Sequence, residues 1–319
     1  MDVPLVRLAG YQGQDSILTE ALQLLAQQLQ DSSWGLPVDC EADVTASQEK
    51  AVALFDSVEQ GKRHMAYMAS GYLSARVSEL AVLDLPFSVA DRGAALAALD
   101  GRAGELLSQA VADKSGFHVL AFWDNGFRHI SNAVHPIRHP QDCAGLIIRT
   151  LDSANYRAAL GALGFDPVTT DVKDLVRAVA TGEVHAQENP LTNVLNFGLW
   201  KHHPHVSLTQ HYFGVLLLVC SRSWYSALSH AQRDTLSQAV AVATRAQRHS
   251  AQAQDAIALA QLKQHGLHIV PPEDIDLAAM RLATQEVAQR QRETLSADLL
   301  SAYFSESQKP YVLNIPVFL

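Results

Sequence analysis

Short apolar runs alternate with amphipathic stretches along the first half of the chain. PLVRLAG reads as a strand. ILTEALQLLAQQLQ repeats leucine at spacings of three and four, the helical period, with Ser16 placed to cap it. LPVDCEAD predicts a second strand, and EKAVALFDSVEQ a helix capped by Ser47 and ended by Gly61. HMAYMAS predicts a third, buried strand. Pro86 closes the apolar run LAVLDLPF, Asp91 is placed to cap a helix through RGAALAALDGRAGELLSQAVAD, and FHVLAFWD predicts another strand. The rhythm then restarts: GLIIRT (strand), NYRAALGALG (helix), PVTT (strand end), DLVRAVATG (helix), EVHAQ (strand). A βαβα order predicts a mostly parallel sheet with helices on both faces. Its repetition predicts two α/β units rather than one large sheet.

HYFGVLLLVC is too short to cross a bilayer and suits a core strand. From Ala231 to His265 neither Pro nor Gly occurs, which predicts one long helix or two stacked ones. Pro271 and Pro272 break it, and a second helical stretch covers Asp274 to about Ser305. Helices of this length after two α/β units predict braces that span both.

Composition narrows the function classes. The chain has 319 residues, 48% hydrophobic and 18% charged, enough for a large core and favouring two domains. A formal charge of −9 disfavours nucleic acid and anionic lipid as partners. No apolar run reaches membrane-spanning length, so no direct membrane insertion is expected. The first residues lack a charged segment followed by an apolar one. This fits a cytoplasmic protein, and equally a mature domain whose leader has been removed. Three widely spaced cysteines (Cys40, Cys143, Cys220) with no CxxC give no zinc or thioredoxin-type site and no expected disulfide.

The chemistry concentrates between Gly145 and Leu191. Arg149 ends the apolar strand GLIIRT, and Gln187, Glu188 and Asn189 stand just before Pro190. A guanidinium is always charged, and its planar fork matches both oxygens of a carboxylate. Ligands of open α/β sheets sit outside the C-terminal strand edge, where both segments are expected to emerge. The competing reading of Arg149 is a surface ion pair. Arg128, after Gly126 in WDNGFRHI, is a second anion contact or a structural tie; Trp123 stacks on ligand or fills the seam between the halves. Ser70, Gly71 and Tyr72 end the third strand, where small residues let a ligand approach. The histidines around His202–His205 and His211 lack a metal-binding pattern, so no metal or other cofactor is expected. Cys143 shows no oriented base, and GxSxG, P-loop and GxGxxG patterns are absent, so no catalytic residue is assigned.

Taken together, HMAYMASGYLSARVSELAVLDLPF, NGFRHI, HPQDCAGLIIRT, LGFDPV, ATGEVHAQENPLTNV and HVSLTQHYFGVLLLVCSRSWYSAL resemble, in order and spacing over nearly the whole chain, the periplasmic substrate-binding subunit of TRAP (tripartite ATP-independent periplasmic) transporters, the dicarboxylate-receptor-like family. The resemblance implies a two-lobed α/β periplasmic-binding-protein fold (type II-like), with hinge strands, a long helix bracing both lobes and a ligand cleft between. It implies lobe I from 1–124 plus about 211–250, lobe II from 125–210 plus about 251–275, and a C-terminal helix over about 276–319 packing across both. It places the carboxylate clamp on Arg149, a second cleft arginine on Arg128 and polar contacts on Glu188 and Asn189. First-lobe contacts fall on Ser70, Gly71, Tyr72 and Tyr11, and the residue after the turn is Thr170 or Val172. Trp123 and Tyr212 are further ligand candidates. The chain departs from the family in carrying His185 where an aspartate is usual and Val176 where a tyrosine is usual.

The expected function is a monomeric periplasmic receptor that binds a small mono- or dicarboxylate and delivers it to a membrane permease driven by an ion gradient. The alternatives are a periplasmic sensing module for a signalling partner, or an enzyme acting on an organic acid.

Overall fold

The structure, a computed structural model, describes residues 5–304. Nine strands form one hydrogen-bonded sheet: β1 (Val6–Ala9), β2 (Val38–Glu41), β3 (Met65–Ala69), β4 (Phe117–Asn132), β5 (Ile147–Thr150), β6 (Asp166–Thr169), β7 (Ala186–Pro190), β8 (His205–Ser221) and β9 (His268–Val270). Their order is β2-β1-β3-β8-β4-β7-β5-β6, with β9 paired on β8. The helices are α1 (Ile17–Gln30), α2 (Ala51–Glu59), α3 (Arg92–Asp100), α4 (Arg102–Lys114), α5 (Ala154–Ala162), α6 (Val172–Ala180), α7 (Leu191–Asn196), α8 (Arg222–Ala227), α9 (His230–Gln264), α10 (Leu277–Glu293) and α11 (Ala297–Tyr303).

The two α/β units are present, but they share a sheet instead of forming two. Strands β2-β1-β3 pair in parallel at one end and β7-β5-β6 at the other. Between them run β8 and β4, antiparallel to each other and to their outer neighbours. The sequence reading stopped these strands at FHVLAFWD and HYFGVLLLVC. They continue to 16 and 17 residues, long enough to serve both ends. Gly126 allows this: its φ of +82° sits at a register shift between Asp124 and Gly126, and so bends β4 mid-course.

The hydrophobic core is split in the same way. One large cluster unites β1, β3, α1, α2 and α4 with the first half of β4, the second half of β8 and α11. Two smaller clusters lie around β5, β7 and α5–α7. Helix α9, about 52 Å long at 1.5 Å per residue, belongs to both: Leu236, Ala239, Val240 and Ala243 pack in the large cluster, Ala258 and Leu262 in a smaller one. At its midpoint the buried Gln247 clasps the β4 backbone, accepting from Asp124 N (2.9 Å) and donating to Asp124 O (2.6 Å). Arg248 grips Asp100 bidentately, and Arg92 of α3 pairs with Asp255 of α9. Of one long helix or two stacked ones, the structure has one, and it packs against both ends.

Local differences have local causes. Ser16 and Asp91 cap α1 and α3 as expected. Ser47 caps nothing, because it ends a 3-10 turn that Asp43 caps, and α2 begins after Lys50. Gly101 divides the stretch after Asp91 into α3 and α4, and Ser296 starts α11 afresh after α10. The apolar run LAVLDLPF begins in a 3-10 segment (Ser78–Asp84) that ends before Pro86. Residues beyond 304, which include the end of the expected C-terminal helix, lie outside the described residues.

Candidate ligand-binding site

Strand register assembles the site. Parallel pairing of β5 with β7 sets Arg149 opposite Gln187, so Arg149 and Glu188 leave the sheet at one C-terminal edge. Antiparallel pairing of β4 with β7 sets Arg128 opposite Pro190, which brings a guanidinium back over the same edge.

Arg128 and Glu188 form a buried ion pair (side chains 4% and 0% exposed). Arg128 Nε and Nη2 both reach the carboxylate, the latter at 3.0 Å, and Nη2 also donates to Glu188 O (2.8 Å) and Asn189 Oδ1 (3.4 Å). Thr150 donates its hydroxyl to Glu188 Oε1 at 2.9 Å, and His211 Nε2 stands 3.6 Å from the other oxygen. Burial alone would raise the Glu188 pKa, but Arg128 and His211 hold it down to about 2. Burial keeps His211 neutral, its pKa lowered despite that carboxylate.

Arg149 differs. It is only 3% exposed, and two of its donors, Nε (2.8 Å) and Nη2 (2.5 Å), share one backbone acceptor, Thr170 O. Among the described residues no carboxylate lies at ion-pair distance from it. Burial lowers its pKa, and nearby Arg128 lowers it further, while Tyr72, Glu188 and Asp171 partly compensate. A buried cation without its own anion is a costly arrangement that a bound carboxylate would relieve.

The other candidates separate into those at this edge and those away from it. Tyr72 lies beside Arg149, its phenol pKa raised by burial and drawn back down by that guanidinium. Tyr11 packs its ring against Tyr67, Phe55 and Tyr72, which makes it the wall behind Tyr72. Ser70 donates to Asp84 Oδ1 at 2.9 Å. Thr170 serves Arg149 through its carbonyl rather than its side chain. Tyr212 is buried and stacks on Tyr156 with centroids 4.2 Å apart.

One reading is corrected, and two gain partners inside the protein. Trp123 is a core residue: it is fully buried against Tyr67, and its indole N–H donates to Thr244 of α9 at 3.0 Å, which leaves no face for a ligand. Glu188 is the counter-ion of Arg128, which shows the structural tie read for Arg128 through its Nε and Nη2. Asn189 is drawn inward: it donates to Gln187 Oε1 (2.6 Å) and accepts from Asn193 (3.2 Å). Gln187 in turn donates to Ser131, whose hydroxyl meets the buried His203 at 3.0 Å. His185, the departure from the family's usual aspartate, accepts from Ile147 N at its Nδ1 (3.0 Å).

The sequence reading missed Asp84, Tyr156, Thr150 and His211. Tyr156 of α5 lies with its ring under Arg128, 5.7 Å from guanidinium carbon to centroid. Asp84 offered a signal, as the one charged residue inside LAVLDLPF. Tyr156 offered none beyond its place in a helical pattern.

Gly71 marks where the two ends of the molecule meet. A Cβ there would lie 2.7 Å from Leu151 Cδ1, 3.5 Å from Ser153 and 3.6 Å from Tyr156. Gly71→Val is expected to weaken ligand affinity at least tenfold by holding residues 69–72 off residues 151–156. Stability of the ligand-free protein should change little. Paired calorimetric and urea titrations check this; unchanged affinity would show that the contact does not govern closure.

The family model of the bacterial extracellular solute-binding proteins, family 7, matches residues 8–294. A solute-binding protein of Verminephrobacter eiseniae is 30% identical over 224 residues, 70% of this chain and 66% of that protein. The 2,3-diketo-L-gulonate-binding periplasmic protein of Escherichia coli is 31% identical over 179 residues, 56% of this chain and 54% of that one. The chain thus spans about one half to two thirds of these relatives' lengths. A solved TRAP periplasmic solute-binding protein from Polaromonas, bound to D-erythronate, superposes with a TM-score of 0.88 at 25% identity, covering 94% of this chain and 97% of that one. A two-lobed α/β fold matched from end to end, and a family model that spans all but the termini, make this chain a member of family 7 of the bacterial extracellular solute-binding proteins, the TRAP-type receptors.

Proposed function

We propose that this protein is a monomeric periplasmic receptor that closes two lobes over a small organic acid, takes its carboxylate on Arg149, and presents the closed complex to a TRAP permease. The observation that carries this reading is the buried, anion-free guanidinium of Arg149 at the strand edge. The split of the core supports lobe I over 1–124 plus about 211–250 and lobe II over 125–210 plus about 251–275, with α10 and α11 crossing between them. Open lobes admit the anion. Closure then excludes water, and the ion pair is worth more in the drier site. Ligand drives closure only by binding the closed form better than the open one.

Binding without turnover is the favoured reading. Burial pushes the thiols of Cys40 and Cys143 up to about 11 and about 12, so neither offers a thiolate nucleophile near neutral pH. Among the described residues no helix is long and apolar enough to cross a membrane, and no cluster of three His, Cys, Asp or Glu residues is arranged for a metal. The negative net charge supports a partner other than nucleic acid.

The test is a thermal-shift panel of organic acids on refolded, ligand-stripped protein. A cognate acid at a hundred times its Kd adds about 2.7 kcal/mol to stability by linkage. A panel of small carboxylates, sugar acids and keto acids that leaves the melting temperature unmoved would contradict the proposal.

A further inference from the structure

The charge balance around Arg149 goes further than the presence of a carboxylate site. The charge of Arg128 is balanced: Glu188 pairs with its Nε and Nη2, and Glu188 O and Asn189 Oδ1 take the other Nη2 contacts. The histidines at this edge, His129 and His211, are both buried with lowered pKa values, His129 to about 3, so neither supplies a cation near neutral pH. Among the described residues at this edge, Arg149 is the cation left without a carboxylate partner.

Beyond Arg128 lies a different kind of surface. Tyr156 lies under Arg128, Tyr212 stacks on Tyr156, and Asp84 sits among Ser70, Tyr156, Tyr212 and Tyr303. Asp84 Oδ2 and the hydroxyls of Tyr212 and Tyr303 are all buried and meet no hydrogen-bond partner in the protein. Ser70 donates to the other carboxylate oxygen, and the Tyr156 hydroxyl stands near enough to help draw the Asp84 pKa down. A second carboxylate on the ligand would therefore be buried against phenols and an acid, with no cation among the described residues there that is not already paired. Neutral hydroxyl groups would find both donors and acceptors.

Resting on the Arg149 clamp proposed above, we infer that the ligand class is a hydroxylated monocarboxylate, an aldonate-type acid, and not a dicarboxylate, with Asp84 and Tyr212 reading its hydroxyl groups. Asp84 is suited to this because burial pushes its carboxyl up to about 7; Ser70 and Arg128 draw it down and Glu188 raises it. Protonated, it both donates and accepts. The groups facing it are Ser70 after β3, Arg128 on β4, Tyr156 on α5, Glu188 on β7, Tyr212 on β8 and Tyr303 on α11. Of these only Arg128 and Glu188 are charged near neutral pH, and they cancel. A bound anion nearby raises the Asp84 pKa further, so binding takes up a proton and affinity falls as pH rises through about 7.

The experiment is calorimetric titration of the refolded, ligand-stripped protein with matched acids. D-Gluconate and D-glucarate differ only in the second carboxylate; D-erythronate, butanoate and succinate form a four-carbon set. Expected results are a hydroxylated monocarboxylate binding at least a hundredfold tighter than its dicarboxylate partner and than butanoate, an affinity that falls between pH 6 and 8.5, and a flattened pH profile in Asp84→Asn. Tyr212→Phe should lose affinity for the hydroxylated acid and not for butanoate. A dicarboxylate binding as tightly as its monocarboxylate partner overturns the inference and leaves the clamp standing. Identical pH profiles for wild type and Asp84→Asn overturn the role of Asp84. Arg149→Ala binding every acid as wild type does, or no acid binding at all, overturns the clamp itself.

Discussion

Arg149→Ala weakens binding of the cognate acid by about 3–5 kcal/mol, the usual cost of leaving a buried charge without its partner. That is a loss of roughly two to four orders of magnitude in Kd. Arg149→Lys fails substantially as well, because an ammonium cannot reproduce the flat two-pronged pair. The ligand-free protein should respond in the opposite sense. Arg149 is buried with only Thr170 O as an acceptor and no carboxylate beside it among the described residues. Arg149→Met should therefore leave the urea midpoint of the ligand-free protein unchanged or raise it. Calorimetry and urea denaturation on the same preparation check both. A Kd within threefold of wild type, or a marked fall in ligand-free stability, would place Arg149 in the scaffold instead of the cleft.

Glu188→Ala should give the reverse pattern, a loss of stability on the order of 3–5 kcal/mol before any ligand is added. Its carboxylate neutralises Arg128, accepts from Thr150 and stands next to His211, all inside the protein. Removing it strands Arg128 beside an already unpaired Arg149. Replacing both partners of the pair, Arg128→Met with Glu188→Leu, should recover most of that loss, because two apolar groups need no counter-ion. The pH dependence has a definite sign. The folded-state pKa of Glu188, about 2, lies below its unfolded value near ~4.3. The stabilisation is present above about pH 4 and is lost as pH falls toward 2. Urea curves of wild type and Glu188→Gln should therefore converge over that acid window. A Glu188→Ala variant within 1 kcal/mol of wild type would contradict the buried pair.

The two arginines show why the site was half legible. Each stands at a strand position that the periodicity of its neighbours identifies, and each is a plausible anion contact by type. Which of them is available depends on a register that the chain does not print. β7 pairs with β4 and β5 alike, but Arg128 stands opposite Pro190, on the face that Glu188 shares, whereas Arg149 stands opposite Gln187, on the other face. The charge left without a partner is thus a property of strand register. Trp123 failed in the same way: its type suits stacking on a ligand, but Thr244, distant in sequence, takes its indole N–H once α9 crosses β4.

Local chemistry, by contrast, was read directly. The repeated βαβα rhythm, the caps at Ser16 and Asp91, the unbroken α9 and the placement of Arg149 at a strand end follow from hydrophobic period, turn residues and capping side chains, which act over a few residues and are written in order along the chain. Tertiary structure alone decided that β4 and β8 fuse two α/β units into one sheet, that Glu188 silences Arg128, and that Asp84, Tyr156, Tyr212 and Tyr303 gather from four separate elements. The physical reason is range. Periodicity and capping are fixed by neighbours within a turn or two, whereas the cost of a buried charge is fixed by whatever the rest of the chain brings to within a few ångströms of it.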